Sequence, residues 1–267
     1  MTCMRSFRPL LFLLVSGPVL PAAMPATAAQ LTLLAVRDNT LFDDNGNNSN
    51  GAGTQLFVGT IASGSARRAL VRFDLSALPA GAALRSAELR INVNRLPPRY
   101  QLQSISLHRV TASWGEGTSA TDGGIGSAAT PQDATWLYRF FGGGGVSRLS
   151  WANPGGDFVS APSAVSPPVF QIFGQQFPST PQVLADIDAW QQNPASNHGW
   201  ILVGTETGES SVNRIDSRES GDPAARPALV IEYDEAGDAG DVPLPLWVWA
   251  LLGGGLLWQL GRSRTVA

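Results

Sequence analysis

The chain has 267 residues, and its 21 Asp and Glu residues outnumber 18 basic residues, all of which are arginine. Between residues 29 and 241 the balance is 14 arginines against 21 acidic residues, a net charge of −7, which argues against nucleic acid or an anionic membrane surface as a partner. The 29 Gly and 19 Pro, with only 15% charged residues, indicate an all-β protein with many turns.

The N-terminal segment has the layout of a secretory signal peptide. Arg5 and Arg8 form a basic start, an apolar run follows from Pro9 to Leu20, and Ala26-Thr27-Ala28 is a small-residue cleavage site. We therefore expect residues 1–28 to be removed, leaving one domain of ordinary size at residues 30–235. The single cysteine, Cys3, lies in the removed segment, so the mature chain has no disulfide, thiolate metal site or cysteine nucleophile.

Alternation of apolar and polar residues predicts strands through the middle of the chain. Ala87–Val93 alternates strictly, and Arg68–Asp74 places Ala69, Val71 and Phe73 on one face. The other strand candidates are Leu31–Val36, Gln55–Gly59, Ile105–Val110, Val169–Phe173, Trp200–Val203 and Ala228–Tyr233. Turn-rich segments separate these strands at spacings that favour a β-sandwich over βαβ units.

An Asn- and Asp-rich loop at residues 43–50 lies between the first two strand candidates. Calcium takes six to eight oxygen ligands, and carboxylates, amides and backbone carbonyls of this loop could supply several. The loop lacks the spaced acidic ligands of an EF-hand, and the alternative is a turn in which Asn and Asp bind their own backbone. The candidate ligands for structural calcium are Asp43, Asp44, Asn45 and Asn47.

Two long irregular stretches, at about 112–135 and 142–168, follow the strand at 105–110. Loops of this length are usually functional or poorly ordered. Aromatic faces on a polar surface can stack on sugar rings, although large rings more often fill the ends of a sandwich. The candidate glycan-binding residues are the rings Trp114, Trp136, Tyr138 and Trp151, with Phe140 and Phe141 beside them.

One helical pattern occurs, after Thr180. Pro181 fits the first helical position, and Val183, Leu184, Ile187 and Trp190 share one face. Asn193-Pro194 ends the pattern. The sequence therefore predicts one short helix packed against the sheets, with Trp190 as its core anchor.

The C-terminal residues have the layout of a membrane anchor. An acidic linker at 236–242 precedes the predicted anchor at 243–267, in which residues 244–260 carry no charge and Arg262 and Arg264 follow. A helix of that length spans about 26 Å at ~1.5 Å per residue, close to the thickness of a bilayer core. The basic end is typical of a cytoplasmic stop, so the domain is expected outside the membrane.

A series of short motifs runs in a fixed order through residues 31–233. They are 38–43 (DNTLFD), 49–53 (SNGAG), 56–59 (LFVG), 67–75 (RRALVRFDL), 79–82 (PAGA), 107–118 (LHRVTASWGEGT), 133–136 (DATW), Trp190, 193–194 (NP), 197–202 (NHGWIL) and 216–219 (DSRE). Together they resemble the DNRLRE domain family of secreted bacterial and archaeal proteins, with Asp43 where that family usually has Glu. The resemblance implies a jelly-roll β-sandwich akin to the non-catalytic carbohydrate-binding modules that accompany extracellular polysaccharide-acting enzymes.

The tail carries a second resemblance. Val242-Pro243-Leu244-Pro245, the apolar span and the basic end are similar to VPLPA-type sorting signals, with Leu246 where those signals usually have Ala. The resemblance implies a processing machinery that exchanges the tail for a surface attachment.

Catalytic patterns are weak. The histidines His108 and His198 have no partner at metal-ligand spacing, and no Gly-x-Ser-x-Gly nucleophile elbow occurs. Glu116, Asp133 and Asp157 lie in the long loops and are the first carboxylates to consider for glycoside cleavage. We assign no catalytic residue.

The sequence thus predicts a secreted, surface-anchored jelly-roll protein that binds polysaccharide or matrix material without chemistry of its own. Its expected partners are that polysaccharide, the sorting machinery and, through the C-terminal helix, the membrane. Two alternatives stay open: a structural or adhesive surface protein that packs against protein neighbours, and a polysaccharide hydrolase or lyase that uses loop carboxylates.

Overall fold

Antiparallel strands dominate the computed structural model, which describes residues 28–97, 103–145, 147–169, 171–207 and 210–234. The strands of this part are β1 (Ala28–Phe42), β2 (Asn48–Ser49), β3 (Gln55–Thr60), β4 (Ala66–Phe73), β5 (Ala83–Arg95), β6 (Ser106–Arg109), β7 (Ser127–Ala128), β8 (Tyr138–Phe140), β9 (Leu149–Ser150), β10 (Ala164–Val165), β11 (Phe173–Phe177), β12 (Trp200–Val203), β13 (Asn213–Asp216) and β14 (Ala228–Asp234). One helix, α1 (Pro181–Gln192), and two 3₁₀ turns at Pro194–Ser196 and Pro223–Ala225 complete it.

Two sheets form the body of the domain, and two strands pass between them. Sheet A contains β14, β5, β11 and β13, and sheet B contains β4, β12, β6 and β10. Strand β1 pairs with β14 through residues 28–34 and with β4 through residues 35–42. Strand β3 pairs with β13 through residues 55–58 and with β4 through residues 59–60. Strands that change sheets in this way close the corners of a sandwich.

The inner faces of the two sheets share one hydrophobic core. Alternate residues point into it, as period-2 strands require. Its buried members from the strands include Leu56, Val58, Ala69, Val71, Phe73, Ala87, Leu89, Ile91, Val93, Leu107, Trp200, Leu202, Ile215, Leu229 and Ile231. The prediction of an all-β sandwich with one short helix is confirmed.

A second hydrophobic layer covers the outer face of sheet B. Leu70 and Ile201 point outward from β4 and β12, and they pack with Trp114, Trp136 and Trp151 from the long loops. Sheet B is therefore buried on both faces. The irregular segments that carry these tryptophans form an ordered cover for sheet B, which accounts for the burial of Trp114, Trp136 and Trp151.

Helix α1 begins and ends as the sequence predicts. The Thr180 hydroxyl accepts a hydrogen bond from the Val183 N–H, and Pro181 occupies the first turn. Trp190 packs edge to face on Trp200 of β12, with ring centroids 4.5 Å apart. This contact fixes the helix to the hydrophobic core.

A buried carboxylate adds hydrogen bonds beside that ring contact. Asp186 of α1 is fully buried and accepts hydrogen bonds from the Trp200 indole N–H at 2.9 Å and from the Ser163 hydroxyl at 2.5 Å. Arg109 of β6 lies 3.4 Å from its other oxygen. One side chain thus joins the helix, both neighbouring strands of sheet B and the segment before β10.

Two strands differ from the sequence-based expectation. The strand expected at 169–173 is wrong in position, because the structure places β11 at Phe173–Phe177, paired with β5. The Gly-Gln-Gln centre of β11 has no apolar alternation. Its position therefore depends on pairing with β5, which the local sequence does not indicate. The sequence analysis does not predict strand β13, because Ile215 is its only apolar residue and gives no alternation.

The predicted signal peptide at 1–28, apart from Ala28, and the linker and anchor at 236–267 lie outside the described residues. In the part of the chain that the structure describes, no helix is long and apolar enough to cross a membrane.

We predict that Asp186→Ala strongly destabilises the domain, because it leaves the Trp200 N–H and the Ser163 hydroxyl buried without an acceptor. The expected loss is at least about 3 kcal/mol of unfolding free energy, measured by denaturant titration. Asp188→Ala is the matched control, since Asp188 lies on the exposed face of the same helix. Equal stabilities of the two variants would contradict the anchoring role of Asp186.

Candidate functional site

The three tryptophans predicted to bind glycan lie beneath the surface. Trp114, Trp136 and Trp151 are exposed by only 3%, 8% and 5%. The Trp114 indole N–H donates to the His198 carbonyl, and the Trp151 indole N–H donates to the Thr135 carbonyl, each at 2.8 Å. These rings offer little face to a ligand and hold the loops to sheet B.

Tyr138, the fourth predicted residue, lies half exposed on the hairpin of β8 and β9 together with Phe140 and Phe141. The rings of Tyr138 and Phe141 meet edge to face at 5.9 Å. The exposed guanidinium of Arg148 lies over both rings, 5.2 Å from the first centroid and 4.6 Å from the second. The hairpin thus presents aromatic rings and a cation at one place on the surface, which we call the aromatic hairpin (residues 138–145 and 147–150).

Gly115 fixes the position of the aromatic hairpin. Its N–H donates to the Arg139 carbonyl, and its own carbonyl accepts from the Ala134 N–H. A Cβ at this position would lie 2.0 Å from the Gln132 carbonyl oxygen and 2.9 Å from the Phe140 ring. Only glycine allows this close approach of backbones, so the hairpin is held rigidly over the tryptophan layer.

Polar side chains of the Asn- and Asp-rich loop bond to other groups of the protein. The Asn45 side-chain oxygen accepts from the Asn47 N–H at 2.9 Å, which is an Asx turn. Asp44 pairs with the buried guanidinium of Arg67 at 2.5 Å. Among the described residues no three His, Cys, Asp or Glu side chains come together as a metal-binding group, so a cation here would also need amide and backbone oxygens.

A partly buried ionic cluster joins the first strand to the 216–219 motif. Arg218 donates through Nε and Nη2 to the two oxygens of Glu116, at 2.6 and 2.9 Å, and lies 2.8 Å from Glu219. The fully buried Asp38 accepts from the Arg218 N–H at 2.6 Å, and its own N–H donates to Glu116. Within the described residues, no donor reaches Asp38 Oδ1.

This cluster links the Asp-Asn of residues 38–39 to the Ser-Arg-Glu of residues 217–219, two motifs that lie far apart in the chain. Burial and, next, the carboxylate of Glu219 raise the pKa of Asp38 well above its usual value, against the hydrogen bond from the Arg218 N–H. Folding therefore shifts the protonation equilibrium of Asp38 toward its neutral form, relative to the unfolded chain. No local sequence pattern indicates the cluster, because its members come from segments about 80 to 180 positions apart.

The loop carboxylates of the hydrolase alternative each have intramolecular partners. Glu116 binds Arg218, and Asp133 is fully buried and accepts from the Thr130 N–H and hydroxyl. Asp157 accepts from the backbone N–H groups of residues 152 and 153. All three brace the loops, and no acid–base pair for glycoside cleavage is needed to account for them.

His108 likewise has a partner inside the protein on each ring nitrogen. His108 Nδ1 donates to the Val159 carbonyl at 2.9 Å, and Nε2 lies 2.9 Å from the Ser106 hydroxyl. The third position of a catalytic triad, a carboxylate on Nδ1, is taken by a backbone carbonyl.

Comparison with known families gives a match to part of the chain. The family model described as carbohydrate-binding module family 96 matches residues 29–121, which contain β1 to β6. The match supports a domain of the carbohydrate-binding-module kind, with carbohydrate as its partner. A search of curated proteins found no significant match. The aromatic hairpin lies beyond the matched segment.

We predict that Asp38→Asn stabilises the protein at neutral pH. A carboxyl whose pKa is raised in the folded state holds a proton that the unfolded chain releases, so stability falls as the pH rises from the ordinary Asp pKa of ~3.9 through the folded value. The Asn amide does not titrate, so the variant keeps its stability over this pH range. Thermal unfolding should give a midpoint at least about 2 °C above wild type at pH 7, with the gain vanishing near pH 4.

The matched control is Asp188→Asn, which changes an exposed carboxylate. A midpoint difference of the same size at both pH values for Asp38→Asn would show that burial does not govern its proton.

Proposed function

We propose that the protein is a non-catalytic carbohydrate-binding protein, secreted and held at the cell surface, that binds polysaccharide or matrix material. The family match over residues 29–121 carries this proposal. The β-sandwich supports it, because a disulfide-free double-sheet body with an ordered loop layer gives a rigid platform for a ligand outside the cell.

The aromatic hairpin is the contact surface that we propose for the glycan. The half-exposed Tyr138, Phe140 and Phe141 can stack on the apolar faces of sugar rings. The guanidinium groups of Arg139 and Arg148 lie over rings of this hairpin, and such groups can also bond hydroxyl and carboxylate oxygens of a ligand. In this proposal the predicted residues have two roles: Tyr138 touches the ligand, while Trp114, Trp136 and Trp151 hold the loops that carry it.

The proposal also includes the domain type, the export and the surface attachment of the protein. The ordered motifs from residue 38 to residue 219 support a DNRLRE-type jelly roll at 30–235. The predicted signal peptide at 1–28 and the anchor at 243–267 support export followed by attachment or sorting. Mass spectrometry of the mature protein from cells tests this arrangement: a chain that still begins at Met1 would contradict export, and an intact Ala267 would contradict processing by a sorting machinery.

The glycan test uses the full-length protein in a detergent without a sugar headgroup. We expect binding on a glycan array, and we expect Tyr138→Ala and Phe141→Ala to weaken it by roughly 3- to 10-fold because each removes one stacking face. Val165→Ala, an exposed apolar residue on β10, is the control and should bind normally.

Three outcomes oppose parts of this proposal. Binding to no glycan, together with self-association in solution, favours the structural or adhesive alternative. Release of reducing ends from a bound polysaccharide favours the hydrolase alternative. Unchanged binding by both ring variants removes the aromatic hairpin as the contact surface.

Structural calcium at Asp43, Asp44, Asn45 and Asn47 remains a proposal of its own. Calorimetry with Ca²⁺, against a protein sample treated with chelator, should show heat of binding and a higher unfolding midpoint. If neither the heat nor the midpoint changes, the loop is the self-bonded turn described above.

A further inference from the structure

The outer face of sheet A is open, in contrast to that of sheet B. Its side chains come from alternate positions of β5 and from the residues paired with them. Arg90 of β5 lies beside Ala228 and, one strand further, Leu34, while Asn92 lies beside Gly174 of β11. The floor of this face therefore combines small residues with polar ones.

Polar side chains form a fixed ladder across three strands of this face. Asp216 of β13 accepts from the amide of Asn92 at 2.6 Å and from that of Asn94 at 2.7 Å. The Asn94 amide also donates to Gln55 of β3, and its oxygen accepts from Arg214 Nε at 2.6 Å. Each group is held in one orientation by the next, so the ladder is ordered before any ligand arrives.

A cavity lies at each end of the ladder. One, of about 460 Å³, is lined by residues that include Leu34, Arg90, Asn92, Gly174 and Arg226. The other, of about 250 Å³, is lined by residues that include Phe57, Arg95, Asp122 and Arg214. Both cavities contact β5.

The two cavities and the ladder between them lie in a row along β5, and we call this row the groove. The five residue steps from Arg90 to Arg95, at ~3.4 Å per residue, give a length of about 17 Å. A single sugar would fill only part of it, whereas an oligosaccharide segment would contact both cavities and the ladder between them.

The groove carries four arginines, at 90, 95, 214 and 226, against the carboxylates of Glu88, Asp122 and Asp216, a net charge of 4 − 3 = +1. Arg90 pairs with Glu88 at 3.3 Å, Arg214 bonds to the ladder that holds Asp216, and Arg226 donates to the Ser220 carbonyl. Such a surface does not select a strongly charged ligand. Its amide, carboxylate and guanidinium groups match the donor and acceptor pairs of sugar hydroxyls.

We propose that this groove is a second carbohydrate-binding site, which takes an extended, uncharged polysaccharide chain through hydrogen bonds to its hydroxyl groups. The proposal rests on the proposed function. It is supported by the position of β1, β3 and β5, which line the groove and lie within the family match at 29–121, whereas the aromatic hairpin does not. Two sites on opposite outer faces would let one domain join two polysaccharide chains.

Gly174 offers a direct way to block the groove. A Cβ at this position would meet no atom within 4 Å, so Gly174→Ile fills the cavity without a clash against the protein. Asn92→Ala removes one rung of the ladder and leaves Asp216 bonded to Asn94. Ser86→Ile is the matched control, since Ser86 lies on the same face of β5 and bonds Glu232, outside both cavities.

The test is calorimetry on the full-length protein with xylan, mannan, β-1,3-glucan and, as a charged comparison, polygalacturonate, followed by di- to hexasaccharides of the best neutral polymer. We expect Gly174→Ile to weaken binding of the neutral polymer at least 10-fold and Asn92→Ala about 5-fold, with Ser86→Ile unchanged. Affinity should rise from the disaccharide to the hexasaccharide. Thermal unfolding confirms that each variant is folded.

The outcomes separate the groove from the proposed function. Normal binding by both groove variants, with loss in Tyr138→Ala, overturns the groove and leaves the function standing. Equal affinity for disaccharide and hexasaccharide, or a preference for polygalacturonate that the groove variants do not alter, also overturns it. If no carbohydrate binds on the array or in solution, the proposed function and the groove fall together.

Discussion

Burial of sheet B on both faces is the constraint on which the rest of the structure depends. Its inner face contributes to the sandwich core, and its outer face needs a second apolar layer because Leu70 and Ile201 point outward. Trp114, Trp136 and Trp151 supply that layer. Without disulfides in the described part, this burial is what converts two long, glycine-rich loops into a fixed surface.

The two outer faces of the sandwich consequently differ in character. The face over sheet B is built from loops, and it displays half-exposed rings and arginines on the aromatic hairpin. The face of sheet A is bare sheet with an ordered polar ladder. In the proposed function one face supplies stacking and the other supplies hydrogen bonds, two interactions by which proteins bind sugars. A module with both would suit attachment to a polymer rather than to a single small sugar.

Local patterns predicted the elements whose residues meet their partners by simple periodicity. The alternation at Ala87–Val93 and the Thr180 cap of the helix each depend on a few neighbouring residues, and both predictions are confirmed. Contacts between distant residues were beyond this reasoning. The sequence left open whether Trp114 is a ligand platform or a core ring, because the outcome depends on whether a loop folds over sheet B. Asp38 and Arg218 meet across 180 positions, and nothing in either local pattern indicates that pairing.

Hydrogen–deuterium exchange on the full-length protein tests the central claim most directly. The backbone N–H groups of Gly115, Ala134, Phe141 and Trp151 donate to carbonyls within the loop layer. The account predicts that these amides are protected to an extent comparable with those of β4 and β12, because the layer and sheet B open together. Exchange of the four amides at the rate of an unstructured peptide, with β4 and β12 still protected, would contradict it.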